Sequence, residues 1–214
     1  MKIKICGLKR KEDVNYVNQC KPDYTGFVFA GKKRCIDYDT AAFLRSRFSP
    51  GIRSVGVFVN EDQNKILDLV KGRIIDIIQL HGDEDEQYII MLKQKLSEHN
   101  LNNIPIIKAV RVQSEDQVIE AEKLPVDYLL LDAFTKDEYG GSGVTFKHEM
   151  IPKLCKPYML AGGINSINVI EILNNISSKN VALPFCIDVS SSVETNGNKD
   201  YDKIKGMVDI VRRI

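Results

Sequence analysis

The stretch SVGVFVNEDQNKILDLVKGRIIDIIQL, residues 54–80, contains two strand-like runs with a helix-like segment between them. The two ends, residues 54–59 and 75–80, are apolar nearly throughout, which is typical of strands covered on both faces in a parallel sheet. The middle, residues 61–72, has the spacing of an amphipathic helix and ends at Gly72, as helices commonly do. Because parallel strands need a crossover connection, this stretch predicts a β-α-β unit.

The same alternation extends in both directions along the chain. Further apolar runs predict strands over residues 2–6, 24–30, 105–110, 127–133, 157–162 and 184–189. Amphipathic segments predict helices over residues 11–20, 83–96, 114–124 and 166–176 and within the last stretch, 201–214.

About eight strand–helix units in 214 residues indicate an α/β protein, a compact (β/α)8 TIM barrel that forms one domain over residues 1–214. An open, doubly wound parallel sheet is the alternative, and periodicity alone leaves it open. The first strand is not followed by the GxGxxG pattern that many such sheets carry, which favours the barrel.

Composition and charge narrow the class of protein. Apolar residues make up 43% of the chain and charged residues 28%, and the net charge is +1, so neither nucleic acid nor a membrane surface is an expected partner. No apolar run approaches the length of a spanning helix, and the start, MKIKICG, does not read as a secretory signal. Five cysteines without CxxC spacing argue against disulfides and a thiolate zinc site, and favour the cytoplasm.

The active site of such a barrel lies at the carboxyl ends of its strands. Polar and reactive residues occur at these ends along the whole sequence, and their convergence on one rim is the main functional signal. They include Cys6, a basic loop with Arg34, His81 and Asp132, and the segments AGGIN (161–165) and DVSSS (188–192).

The segments after the seventh and eighth strands predict a phosphate site. The first supplies Gly162 and Gly163, and the second supplies Asp188, Ser190 and Ser191. Glycines let the backbone approach an anion, and helix N-termini direct free N–H groups towards it. Either segment alone is compatible with a simple turn or cap, but phosphate sites in these barrels are often built from both loops.

Three side chains are candidates for chemistry or substrate contact. Asp132 follows four apolar residues, where burial favours the protonated form of a proton donor; the alternative is a structural aspartate. Cys6 ends the first strand, where its thiol can act as a base; the alternative is a small buried residue. His81 is a candidate substrate ligand, and it could equally bond to the backbone.

The loop that follows Asp132, residues 133–146, is rich in glycine and long for its position, so it predicts a lid over the site. The histidines and carboxylates do not show the spacing of metal ligands, and no metal is expected.

Taken in order, these motifs resemble the phosphoribosylanthranilate isomerase family of tryptophan biosynthesis. The resemblance runs from residue 2 to about residue 200. It is carried by KICGL (4–8), GFVFA (26–30) with the basic loop behind it, VGVFVN (55–60), IQLHG (78–82), KAVRV (108–112), LLLDA (129–133) with YGGSGVTF (139–146), LAGGIN (160–165) and DVSSSVE (188–194).

The resemblance implies an Amadori rearrangement of the small-molecule phosphosugar N-(5′-phosphoribosyl)anthranilate to 1-(2-carboxyphenylamino)-1-deoxyribulose 5-phosphate, without cofactor or metal. It implies that Cys6 is the general base, that Asp132 is the general acid, and that Arg34 binds the anthranilate carboxylate. The phosphate would be held by Gly162, Gly163, Asp188, Ser190 and Ser191. One position departs from the family pattern, since Ser192 stands where the family usually has glycine.

Other functions are compatible with the sequence at this point. Indole-glycerol-phosphate synthase has a similar phosphate site and needs a catalytic lysine, for which Lys108 is a candidate. Tryptophan synthase α would need carboxylates at its catalytic positions, and a binding-only barrel would keep the anion site without turnover. The thiol of Cys6 together with Asp132 favours the isomerase. We expect a monomer, and a homodimer remains an alternative.

Overall fold

The computed structural model describes residues 1–133 and 150–214. Eight parallel strands form a closed barrel in chain order, and β1 pairs with both β2 and β8. The strands are β1 (Lys2–Cys6), β2 (Tyr24–Val28), β3 (Arg53–Phe58), β4 (Ile77–Leu80), β5 (Ile106–Val112), β6 (Tyr128–Ala133), β7 (Tyr158–Ala161) and β8 (Cys186–Val189). The predicted barrel is confirmed, and the open sheet is excluded because β1 and β8 close the ring.

Seven helices lie in the described part of the chain. They are α1 (Lys11–Cys20), α2 (Tyr38–Arg45), α3 (Gln63–Lys71), α4 (Glu86–Glu98), α5 (Glu115–Lys123), α6 (Val169–Ser178) and α7 (Tyr201–Arg212). The β-α-β unit of residues 54–80 is present as β3, α3 and β4, and Gly72 caps α3 as predicted.

Helix α2 was not predicted from the sequence. It has only eight residues and buries only two side chains, Ala41 and Leu44, so its apolar period is weak. Its start is nevertheless marked by Asp37, whose side chain accepts a hydrogen bond from the Thr40 N–H at 2.8 Å.

A short hairpin after β8 also went unpredicted. A 3-10 turn (Ser191–Val193) leads into β9 (Glu194–Thr195), which pairs antiparallel with β10 (Asn198–Lys199). The two residues between them, Asn196 and Gly197, have φ values of 52° and 75°, the left-handed conformation that a tight hairpin turn requires.

Inside the barrel, an apolar layer of side chains lies nearer the amino ends of the strands, and a polar layer lies nearer their carboxyl ends. The apolar layer is a cluster of strand residues that includes Val55, Ile77, Leu130, Met159 and Cys186. Side chains two residues further along each strand point to the same side, one layer closer to the carboxyl ends. The next inward-facing residue of each strand therefore lies at the mouth of the barrel.

Residues 134–149 lie outside the described part of the chain, and the predicted lid over residues 133–146 falls almost wholly within them. Within residues 1–133 and 150–214, no helix has the length and apolar character needed to cross a membrane.

Candidate active site

A cavity of about 730 Å³ opens at the carboxyl ends of the strands. All nine residues predicted for the site line it: Cys6, Arg34, His81, Asp132, Gly162, Gly163, Asp188, Ser190 and Ser191. They come from β1, β6 and β8 and from the loops that follow β2, β4, β7 and β8, so the cavity brings together residues that are far apart in sequence.

The strand alternation explains why these side chains reach the cavity. Asp132 lies two residues after Leu130, and Asp188 lies two residues after Cys186, and both earlier residues belong to the interior apolar cluster. Gln79 follows Ile77 in the same way and also lines the cavity. Once the barrel closes, the period of two in each strand determines the polar layer.

Cys6 lies at the end of β1 near charged groups of both signs. Burial raises the pKa of its thiol and the negative charge of Asp188 acts in the same direction, whereas the positive charges of Lys4 and Lys199 act in the opposite direction. The Lys4 ammonium is itself buried and lies 2.8 Å from Oδ2 of Asp188. The Cys6 carbonyl accepts a hydrogen bond from the Ser190 hydroxyl at 3.0 Å, which ties the end of β1 to the loop after β8.

Gly26 leaves the space that the Cys6 thiol occupies. It lies opposite Cys6 in the β1–β2 register, and a Cβ atom there would lie 2.7 Å from Sγ and 3.1 Å from Cα of Cys6. We expect Gly26→Ala to displace the thiol and to lower kcat on the order of 100-fold, because small misplacements of reacting groups have effects of that size.

Gly206→Ala is the matched control for this substitution. Gly206 lies within α7, and a Cβ atom there would meet nothing within 4 Å. We expect that variant to keep full activity and to gain about 0.5–1 kcal/mol in the free energy of unfolding. Steady-state kinetics give kcat and urea unfolding gives the stability of both variants. Equal kcat values for Gly26→Ala and Gly206→Ala would show that Gly26 does not position the thiol.

Asp132 is less buried than its apolar strand predicted. Its side chain is 29% exposed, and its Oδ2 lies 3.4 Å from Nε2 of His81. The other ring nitrogen of His81, Nδ1, lies 2.9 Å from the side-chain nitrogen of Gln79. The prediction of a buried acid is therefore wrong, because Asp132 is the last inward-facing residue of β6 and opens onto the cavity.

The two loops predicted to hold phosphate follow the neighbouring strands β7 and β8, and both line the cavity. Gly162 and Gly163 have φ values of 88° and 65°, which side-chain-bearing residues rarely adopt. In the second loop, Ser191 and Ser192 lie in the 3-10 turn. Ser192 therefore fits the loop without a positive φ, and its buried hydroxyl has no hydrogen-bond partner in the described part of the chain.

Arg34 already holds a carboxylate within the protein. Its Nε and Nη2 atoms each lie 2.8 Å from an oxygen of Glu194, one on Oε1 and one on Oε2. Glu194 also accepts a hydrogen bond at 2.7 Å from Lys199, whose Nζ lies 3.0 Å from the Ser190 carbonyl. Burial alone would raise the pKa of Glu194, but the hydrogen bonds from Arg34 and Lys199 lower it to about 2.

Sequence reasoning missed Glu194 and Lys199. The signal that could have found them is the Asn196-Gly197 pair, a strong indicator of a tight hairpin, because a hairpin here turns β9 and β10 back beside the cavity.

Lys108, the candidate for a synthase-type lysine, does not line the cavity. Its Nζ lies 2.7 Å from Glu84 and 2.8 Å from the Gly82 carbonyl, so it fixes the loop after β4. Among the described residues, no group of three histidine, cysteine or carboxylate side chains is placed to hold a metal ion.

Comparison with known proteins gives a consistent result. The chain matches the family model described as N-(5'phosphoribosyl)anthranilate (PRA) isomerase over residues 3–210. The N-(5'-phosphoribosyl)anthranilate isomerase of Endomicrobium trichonymphae is 46% identical over 213 residues, which cover 100% of this chain and 99% of that protein.

Two solved structures are similar over their full length. The phosphoribosyl anthranilate isomerase of Thermotoga maritima has a TM-score of 0.78 and 33% identity, with 100% of both chains covered. A second phosphoribosyl anthranilate isomerase structure, in complex with reduced 1-(o-carboxyphenylamino)-1-deoxyribulose 5-phosphate, has a TM-score of 0.76 and 32% identity, also with 100% of both chains covered.

Proposed function

The chain belongs to the N-(5'-phosphoribosyl)anthranilate isomerase family and is an isomerase of tryptophan biosynthesis, and we propose that it works through Cys6 as general base and Asp132 as general acid. The observation that carries this proposal is that both side chains line one cavity. They come from strands β1 and β6, which β7 and β8 separate, so a sugar ring can lie between them.

The reaction moves protons and electrons within the substrate. Asp132 protonates the ribose ring oxygen while the bond from that oxygen to C1 breaks, and the nitrogen lone pair forms a C=N bond at C1. Cys6 then removes a proton from C2, and the C–H electrons form a C1=C2 bond as the nitrogen is neutralised. The resulting enolamine tautomerises to the ketone. C1 is reduced and C2 is oxidised to the same extent, so no external oxidant or reductant is needed.

The two ends of the substrate would be held on different sides of the cavity. Gly162 and Gly163 after β7 and the main chain of Ser190 and Ser191 after β8 would bind the phosphate. Arg34 would bind the anthranilate carboxylate. Fixing both ends places the sugar between the acid and the base, and such positioning is a large part of catalysis.

Asp188 and His81 would support these groups. The Asp188 carboxylate is bound to Lys4 and offers an anion no N–H of its own side chain, so its part would be to anchor the loop that carries Ser190. His81 would orient Asp132, which it contacts, and would meet the sugar beside it.

We propose that the protein acts in the cytoplasm as a monomer on this small-molecule phosphosugar, without a nucleic-acid or membrane partner. Its five cysteines are free thiols, as expected in a reducing compartment. Sedimentation at micromolar concentration tests the monomer, which has a mass of 24.2 kDa.

A fluorescence assay tests the activity. The substrate is generated in place from anthranilate and phosphoribosyl pyrophosphate, and its loss is followed with and without the protein. We expect catalysed loss together with formation of the deoxyribulose product. Binding of phosphate ligands without turnover would instead support a binding-only barrel.

A further inference from the structure

We propose that Glu194 is a positioning residue that fixes Arg34 for the substrate carboxylate and joins the carboxylate end of the cavity to its phosphate loop. The inference rests on the proposed role of Arg34. Glu194 and Lys199 form the hairpin after β8, and neither lines the cavity directly.

The exposures of the three side chains indicate which group is presented to a ligand. The side chain of Arg34 is 27% exposed, that of Glu194 is 8% exposed and that of Lys199 is 1% exposed. The carboxylate and the ammonium therefore form a buried support, and Arg34 is the one of these three residues that lines the cavity.

Glu194 occupies only one edge of the guanidinium. A guanidinium has five N–H donors, and the contacts to Glu194 use Nε and Nη2. The second N–H group of Nη2 and the adjacent N–H group of Nη1 form another edge of the same planar group. An edge of this kind matches a carboxylate with two parallel hydrogen bonds, and its direction is determined once the first edge is held.

The backbone after Arg34 is anchored to β2, because the Ile36 N–H donates to the Val28 carbonyl at 3.0 Å. In the described part of the chain, Glu194 alone hydrogen-bonds to the side chain of Arg34. Gly31, Lys32 and Lys33, which precede it, are exposed. The aliphatic part of Arg34 crosses over Gly7, where a Cβ atom would lie 2.5 Å from Cδ, so the arginine passes directly above the end of β1. Glu194 is therefore the group that selects one direction for the guanidinium.

Lys199 extends the connection to the phosphate loop and the base. Its Nζ bridges Glu194 and the Ser190 carbonyl, and the Ser190 hydroxyl donates to the carbonyl of Cys6. One chain of contacts thus runs from Arg34 through Glu194, Lys199 and Ser190 to Cys6.

Glu194→Gln tests the inference, because glutamine keeps the size of the side chain and one acceptor but loses the charge and one half of the fork. We expect KM to rise about tenfold or more, in line with the loss of a hydrogen bond between charged groups, while kcat changes much less. Glu194→Asp keeps the charge but shortens the side chain, and we expect a raised KM there too, with Lys199 still neutralised.

A double-mutant cycle separates positioning from a general structural effect. In an Arg34→Ala background, which by itself raises KM, we expect Glu194→Gln to change KM much less than in the wild type, since most of its effect passes through Arg34 and only the contact through Lys199 to Ser190 is left to be weakened. Equal effects of Glu194→Gln in both backgrounds would overturn the inference. Arg34→Ala with a normal KM would overturn it as well, while leaving turnover by the wild type, and thus the isomerase activity, in place.

Asp76→Asn is the matched control. Asp76 also binds an arginine with both oxygens, at 3.1 Å each from Arg45 Nη2, but it precedes β4 and lies away from the cavity. We expect this variant to lose stability without a change in KM. A rise in KM equal to that of Glu194→Gln would mean that any lost arginine–carboxylate pair has this effect, which would overturn the inference.

Discussion

Cys6→Ala is expected to lower kcat by roughly 10²–10⁴-fold, the range that a single general acid or base contributes. The thiol is the proposed base at the proton of C2, and alanine removes it without adding bulk at the packed contact with Gly26. The measurement is single-turnover loss of substrate fluorescence, which isolates the chemical step from product release.

The pH dependence provides a second test of the same role. Burial raises the pKa of the Cys6 thiol, so the pH profile of kcat/KM for the wild type should show an ionisation above neutrality that belongs to this residue. Cys6→Ala should lose that ionisation. Cys155→Ala, which removes an exposed thiol away from the cavity, should keep both the rate and the profile. Undiminished turnover by Cys6→Ala would remove Cys6 from the mechanism.

Asp132→Asn is expected to lower kcat by a similar factor, roughly 10²–10⁴-fold, because asparagine keeps the size of the side chain but cannot protonate the ring oxygen. KM should change far less, since neither the carboxylate nor the phosphate of the substrate is assigned to Asp132. The substrate should then bind with its ring closed, and stopped-flow fluorescence separates that binding step from the slow loss that follows.

Asp127→Asn is the control, because Asp127 lies beside the same strand, β6, but outside the cavity. Asp127 directly precedes β6 at its other end, where its Oδ2 accepts a hydrogen bond from the Ile106 N–H at 2.8 Å. We expect this variant to be less stable, with kcat unchanged. Equal kcat values for Asp132→Asn and the wild type would mean that another group protonates the ring oxygen.

Local patterns in the sequence were sufficient to predict the barrel and a set of residues that line one cavity. Buried parallel strands are apolar throughout and helices have their own period, so the β-α-β unit of residues 54–80 could be recognised without tertiary contacts. The site residues could be listed because a closed barrel brings all strand ends to one rim. For this reason Cys6, Asp132 and the loops after β7 and β8 line a single cavity.

Only the tertiary structure determined which ion pairs these side chains form and how exposed they are. Arg34 and Glu194 are 160 residues apart, and Lys4 and Asp188 are 184 residues apart, so no local pattern relates them. Asp132 belongs to an apolar strand, yet it opens onto the cavity because its strand ends there. Propensity and periodicity act over a few neighbouring residues, whereas charge pairing and exposure depend on closure of the ring between β1 and β8.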